Sequence, residues 1–130
     1  MKIKLTVLLI ILLNLAFLAK AQKKFDSIRV YYIPISYLNI TPINAERVKT
    51  FPLTKTFVIK DSVLLVDVMN GIKKLKRSTI IFAHFDPRVL CVICRGKRKR
   101  NLLINGTKFI YYRRQTFEPS EYLFKLIYPQ

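Results

Sequence analysis

The 130-residue sequence predicts an α+β domain: an antiparallel sheet, meandering in its C-terminal half, with one main helix packed on one face and a short C-terminal helix. Three observations predict it. "RVLCVICR" (88–95) and "NLLI" (101–104) are strand-like runs rich in β-branched and aliphatic residues. "DSVLLVDVMNGIKKLKR" (61–77) switches to apolar spacings of three and four, the period of a helix face. Asn105-Gly106 stands between two apolar runs, the strongest short-range hairpin signal.

The N-terminus alters the composition of everything behind it. Lys2 and Lys4 precede the apolar run Leu5 to Ala19, and Ala19-Lys20-Ala21 has small residues at both positions of an A-x-A cleavage site. These are the parts of a secretory signal peptide, so residues 1–21 are assigned as signal and 22–130 as one domain beginning at Gln22. The alternative is an uncleaved membrane anchor. The run is short for a bilayer span of about 17 to 25 apolar residues, and Asn14 interrupts it. No Cys follows it to accept a lipid.

Ser27 to Ser36 alternates and is rich in Val, Ile and Tyr, a strand that Pro34 confines to an edge or an end. Leu38 to Leu53 holds two prolines and no sustained period, so it reads as a connection with a short helical turn at Asn44 to Val48. Thr56 to Lys60 is a strand. Asp61 or Ser62 then supplies an N-cap for a helix over 62–76, with Val63, Val66 and Met69 on one apolar ridge and Leu65, Val68, Ile72 and Leu75 on the next. Lys73, Lys74 and Arg77 complement the dipole at its end. Near the C-terminus, Glu118 or Ser120 starts a short helix that Pro129 ends, laying Tyr122, Leu123, Leu126 and Ile127 against the sheet edge.

If Asn105-Gly106 forms a two-residue type I′ turn, Ile104 pairs with Thr107, Leu102 with Phe109, Arg100 with Tyr111 and Arg98 with Arg113. A second turn near Gly96-Lys97 sets Cys91 beside Leu102 and Val89 beside Ile104. The face under the helix then carries Val89, Cys91, Ile93, Leu102, Ile104, Phe109 and Tyr111. Cys91 and Cys94 point to opposite faces of one strand with Cα atoms about 10 Å apart, beyond the ~7 Å limit for a disulfide. A structural zinc site takes four ligands, and the chain offers two Cys and one His. No metal or cofactor is therefore expected. Cys91 reads as a small buried residue and Cys94 as a free thiol able to pair between chains.

The basic run Arg95 to Arg100 sits on a hairpin turn and its flanks, where charges discourage further strand pairing. The expected register also gathers Arg98, Arg100, Tyr111 and Arg113 at the open end of one face. Guanidinium forks beside an aromatic ring suit phosphate or carboxylate groups, so these four are the candidate binding residues. Catalytic residues are not assigned. His84 and Asp86 lie in the turn "FAHFDPR", and neither a nucleophile elbow nor a Gly-rich phosphate loop is present. A hydrolase using His84 is the least supported alternative. Asn39-Ile40-Thr41 and Asn105-Gly106-Thr107 match the glycosylation sequon, which matters only in a eukaryotic secretory pathway.

The Ala-Lys-Ala-Gln junction, the strand near 27–36, the "VIKDS" strand-to-helix step, "FDPR" and the "LLING" hairpin before a short terminal helix resemble small exported proteins of Gram-negative bacteria with no assigned activity. The resemblance implies an exported α+β domain, in the periplasm or the medium, and brings no functional residues. Removing residues 1–21 leaves a charge of about +14 (24 cations less Lys2, Lys4 and Lys20, against 7 acids). Such a chain favours anionic partners: lipopolysaccharide, an acidic glycan, phospholipid headgroups or an acidic protein. Export disfavours nucleic acid, and membrane contact through the N-terminus requires residues 1–21 to remain attached. The reading is a non-enzymatic binding module, with a membrane-anchored envelope component as the alternative.

Overall fold

The computed structural model describes residues 2–21, 26–34 and 42–128. Helix α1 (Lys2–Ala21) stands apart from the rest: its apolar side chains from Ile3 to Leu15 are all at least half exposed. Among the described residues no helix is long and apolar enough to cross a membrane. Gln22, the 39–41 sequon and Pro129 lie outside the described residues.

The domain is an α+β fold on one antiparallel sheet of six strands. Strand β1 spans Ser27–Tyr32, β2 Lys55–Ile59, β3 Pro87–Arg95, β4 Arg98–Asn105, β5 Ile110–Tyr112 and β6 Gln115–Phe117, in the order β2-β1-β3-β4-β5-β6. Strand β1 is internal, not an edge. Pro34 is compatible with this because the ladder stops at Tyr32, so its missing N–H removes no sheet bond. The first described residue of the domain, Asp26, is tied to the β3–β4 turn: its N–H donates to the Cys94 carbonyl (2.9 Å) and its Oδ2 accepts from Gly96 N–H (2.6 Å).

Helix α3 (Ser62–Lys73) follows β2 and is capped by Asp61, whose Oδ1 accepts from Leu64 N–H at 2.9 Å. It ends three residues before the expected Lys76 because the chain there turns to pair with β6. Lys76 O accepts from Glu118 N–H (2.8 Å), and Ser78 N–H donates to Thr116 O (2.9 Å). Of its two apolar ridges one is buried, through Leu65, Val68 and Ile72; on the other Val63 and Val66 are exposed and Met69 packs against the core.

This ridge covers the sheet face formed by Ile28, Val30, Ile59, Val89, Cys91, Ile93, Leu102, Ile104, Ile110 and Tyr112. Each fully buried Ile, Leu or Val here contributes roughly 1.5–3 kcal/mol. Helix α4 (Glu121–Ile127), capped by Ser120, lies on the same face beside α3 and not at the sheet edge. Gly71 permits the approach, since a Cβ there would sit 3.2 Å from Leu123 Cδ1.

The opposite face carries a second, smaller core of Ile33, Ile43, Val48, Leu90 and Val92. Helix α2 (Ala45–Thr50) covers it, running two residues past the expected Val48 and capped by Asn44. Asp86 pins its approach by accepting from Ile43 N–H at 2.8 Å.

The β3–β4 register is as expected, with Cys91 opposite Leu102 and Val89 opposite Ile104. The β4–β5 register is not. Leu102 pairs with Tyr112, Leu103 with Tyr111 and Ile104 with Ile110, a shift that replaces all four expected pairs. Asn105-Gly106 does not form a two-residue turn. The loop is Gly106-Thr107-Lys108, closed by Lys108 N–H to Asn105 O and Asn105 N–H to Phe109 O, with Lys108 at φ 69°. This is a type I turn followed by a left-handed residue. Buried Asn105 organises it: its Oδ1 accepts from Thr107 N–H, Thr107 Oγ1 and Phe109 N–H. A register change by an odd number of residues exchanges faces. Ile110 and Tyr112 therefore enter the core, while Phe109 and Tyr111 face the other side with Phe82 and Phe85.

The two-residue turn occurs one hairpin later. Arg113 and Arg114, at φ 52° and 63°, join Tyr112 to its partner Gln115. Left-handed values at both central positions define type I′.

Candidate functional site

Strand β4 is long and β5 is short, so β4 overhangs. Its first residues, Arg98 to Asn101, pair with β3 on one side but extend past Tyr112 on the other. The β5–β6 turn closes the end of this notch. The result is an open groove of about 790 Å³ lined by Lys99, Arg100, Asn101, Tyr112, Arg113 and Arg114.

Of the residues expected to converge, Arg100 and Arg113 line the groove together. Arg98 lies opposite Arg95 at the β3–β4 turn, and Tyr111 is opposite Leu103 with its ring 5.7 Å from Phe85. Neither lines the groove. The expected pairs Arg100–Tyr111 and Arg98–Arg113 depended on the two-residue turn at Asn105-Gly106. The longer loop carries Tyr111 to the face opposite Arg100. Lys99 and Arg114 take part instead, brought in by the overhang and the tight turn.

Four cations thus line one groove, Lys99 from the α2 side of β4 and Arg100 from the α3 side. Among the described residues none of the four forms an ion pair with a carboxylate. Clustered like charges raise the free energy of the folded state unless an anion is bound. The turn adds backbone strain, because each non-Gly residue in the left-handed region costs roughly 1–2 kcal/mol.

A second groove, of about 490 Å³, lies on the α2 side of the sheet where the helix leaves it uncovered. It is lined by Ser27, Arg29 and Tyr31 of β1, Val92 and Cys94 of β3, Lys99 and Asn101 of β4, and Lys49 of α2. Lys99 and Asn101 belong to both grooves.

The remaining candidates are placed apart. Both oxygens of Asp86 are engaged, Oδ1 by Ile43 N–H and Oδ2 by Arg88 Nη2, and no hydrogen bond joins Asp86 to the exposed His84. Cys91 is enclosed on the α3 side, and burial pushes its thiol up to about 12. Cys94 is half-buried on the other face, and both thiols are free. Among the described residues no group of three or more His, Cys, Asp or Glu is placed to hold a metal ion.

No protein-family model matches the chain, and neither a curated protein nor a solved structure matches it.

Proposed function

We propose that the chain is an exported, non-enzymatic binding module that holds an anionic partner in the groove between the β4 overhang and the β5–β6 turn. The observation that supports it most is the convergence of Lys99, Arg100, Arg113 and Arg114 on one groove without a carboxylate partner among the described residues. Shielding a strand edge needs a charge or two. It does not call for arginines at both left-handed turn positions, where Asn and Gly would fold better. Local strain kept at a site of concentrated charge is the pattern of a site selected for binding.

The non-enzymatic reading draws support from Asp86, whose carboxylate is occupied in clamping Ile43 and Arg88 and so does not orient His84. Export is supported by the leader pattern and by an N-terminal helix whose apolar residues from Ile3 to Leu15 take no part in the core.

The test is an exchange that separates binding from folding. Arg113→Asn with Arg114→Gly removes two charges and supplies the residues a type I′ turn prefers. The variant is expected to unfold at higher denaturant, with about 1–2 kcal/mol more stability, and to elute from heparin–agarose at distinctly lower salt. Adding Lys99→Gln and Arg100→Gln should remove retention. Unchanged elution of this fourfold variant would reject the groove as the site.

A further inference from the structure

The two grooves share a wall. Lys99 and Asn101 line both, so the basic surface runs unbroken from Arg113 and Arg114 at the β5–β6 turn, across β4, over Val92 and Cys94 of β3, to Arg29 of β1 and Lys49 of α2. From β5 to β1 there are three inter-strand steps, about 14 Å at the usual strand spacing. A single phosphate or carboxylate would occupy one end and leave the cations at the other end uncompensated. A ligand carrying charges at intervals would meet both.

We infer that the partner is a linear acidic polysaccharide lying across the strands, its anionic groups meeting Arg113 and Arg114 at one end, Lys99 in the middle and Arg29 at the other. This rests on the anion-binding reading above and deepens it. The lining favours a sugar chain over a nucleic acid. Tyr112 is 7% exposed and Tyr31 is half-buried, so neither offers the open ring face on which successive bases stack. What the track does offer is the Asn101 amide and the Ser27 hydroxyl among the cations, groups suited to sugar hydroxyls. Glu46 sits 3.6 Å from Lys49 but is 77% exposed, an ion pair that an incoming polyanion can displace.

Two adjoining subsites filled by one chain act as linked sites, the second binding at high effective concentration. Affinity should therefore depend on chain length. The experiment titrates the full chain with heparin oligosaccharides of graded length by calorimetry, comparing the native protein, Arg29→Gln, and the Arg113→Asn/Arg114→Gly variant. The native protein is expected to bind the longest oligosaccharides at least roughly tenfold more tightly than the shortest. Arg29→Gln should abolish most of that gain. The turn variant should weaken ligands of every length.

If affinity is independent of length, or Arg29→Gln binds long chains as the native protein does, the continuous track is overturned. The groove itself would still stand provided the turn variant binds less. If the turn variant also binds as the native protein does, the anion-binding reading fails with it. Two parallel arms address other partners. Phosphatidylglycerol vesicles bound in preference to all oligosaccharides would overturn the inference in favour of a lipid surface. Oligothymidylate bound as tightly as an oligosaccharide of equal charge would overturn it in favour of nucleic acid.

Discussion

Asp86 and Arg88 form an ion pair with Oδ2 and Nη2 2.7 Å apart, and only 8% of the arginine side chain is exposed. Arg88 stands at the bulge between Pro87 and Val89, and its carbonyl accepts from Ile33 N–H at 2.8 Å. Asp86 also takes Ile43 N–H, so one carboxylate joins the start of β3 to the segment leading into α2. The residue pair that most invites a catalytic reading in the sequence, His84 with Asp86, is thus divided between an exposed imidazole and a structural clamp.

Asp86→Ala leaves a buried guanidinium unpaired and an amide donor without its acceptor. Breaking one partner out of a buried pair costs about 3–5 kcal/mol, and the 32% exposure of Asp86 places this case near the lower end. Replacing both partners with apolar residues, Asp86→Leu with Arg88→Met, should cost less than the single change. Denaturant midpoints of the two variants check it, and a larger loss in the double variant would contradict the clamp.

The glycines distinguish the two possible hairpins. In a type I′ turn Gly106 would need positive φ, and alanine there would be strained. In the observed loop the left-handed residue is Lys108, and a Cβ on Gly106 would meet Arg88 Cγ at a comfortable 3.9 Å. Gly106→Ala should therefore be neutral or stabilise by up to about 1 kcal/mol. Gly96, at φ 58°, is the position where alanine should cost about 1 kcal/mol. Asn105→Ala removes the acceptor for three donors and should cost about 2–3 kcal/mol. Equilibrium unfolding of the three variants tests the loop directly.

How much of this was legible follows from what each segment offers. Helix α3 and strand β2 were readable because a cap residue, Asp61, coincides with the change of apolar period. The β3–β4 register was readable because Gly96 marks a tight turn between two unambiguous runs. Phe109-Ile110-Tyr111-Tyr112 is apolar at every position, so alternation cannot say which pair faces the core. The Asn-Gly dipeptide serves a two-residue turn or, through the Asn105 side chain, a longer loop. Only the packing of Ile110 and Tyr112 under α3 and α4 distinguishes them. The β5–β6 hairpin was hidden because its turn is Arg-Arg, against the usual residue preference, and with it Arg114 and the groove's end were missed. Spacing "YY" and "QTF" around two residues was the available signal.

The cysteines should differ sharply in reactivity. Cys91 is fully enclosed with its thiol pushed up to about 12, whereas Cys94 is half-buried and lines the second groove. In the native protein at pH 8, Ellman's reagent should titrate Cys94 alone, with Cys91 reacting only on unfolding. The raised thiol also sets a direction for alkaline stability. The protonated form is favoured by the fold, so its contribution is complete below the ordinary value of 9.0 and is lost as pH rises through about 12. Cys91→Ala should flatten that part of the stability profile while leaving a small cavity, at a cost of roughly 1 kcal/mol near neutral pH. Two thiols reacting at equal rates in the native state would contradict the placement of Cys91.

The N-terminus decides where the basic surface acts. Helix α1 presents Leu5 to Leu15 to solvent on all sides, an arrangement that a folded domain in water does not sustain. Removal by signal peptidase would resolve it by producing a chain that begins at Gln22 and carries about +14 (24 cations less 3, against 7 acids). Retention resolves it differently, by placing α1 in a lipid phase and the cationic grooves beside headgroups. Intact mass and N-terminal sequencing of the native protein in separated membrane, periplasmic and medium fractions tell these apart. The expected result is a mass lacking residues 1–21 in a soluble fraction. An intact chain confined to the membrane fraction would reject cleavage and recast the domain as an anchored envelope component.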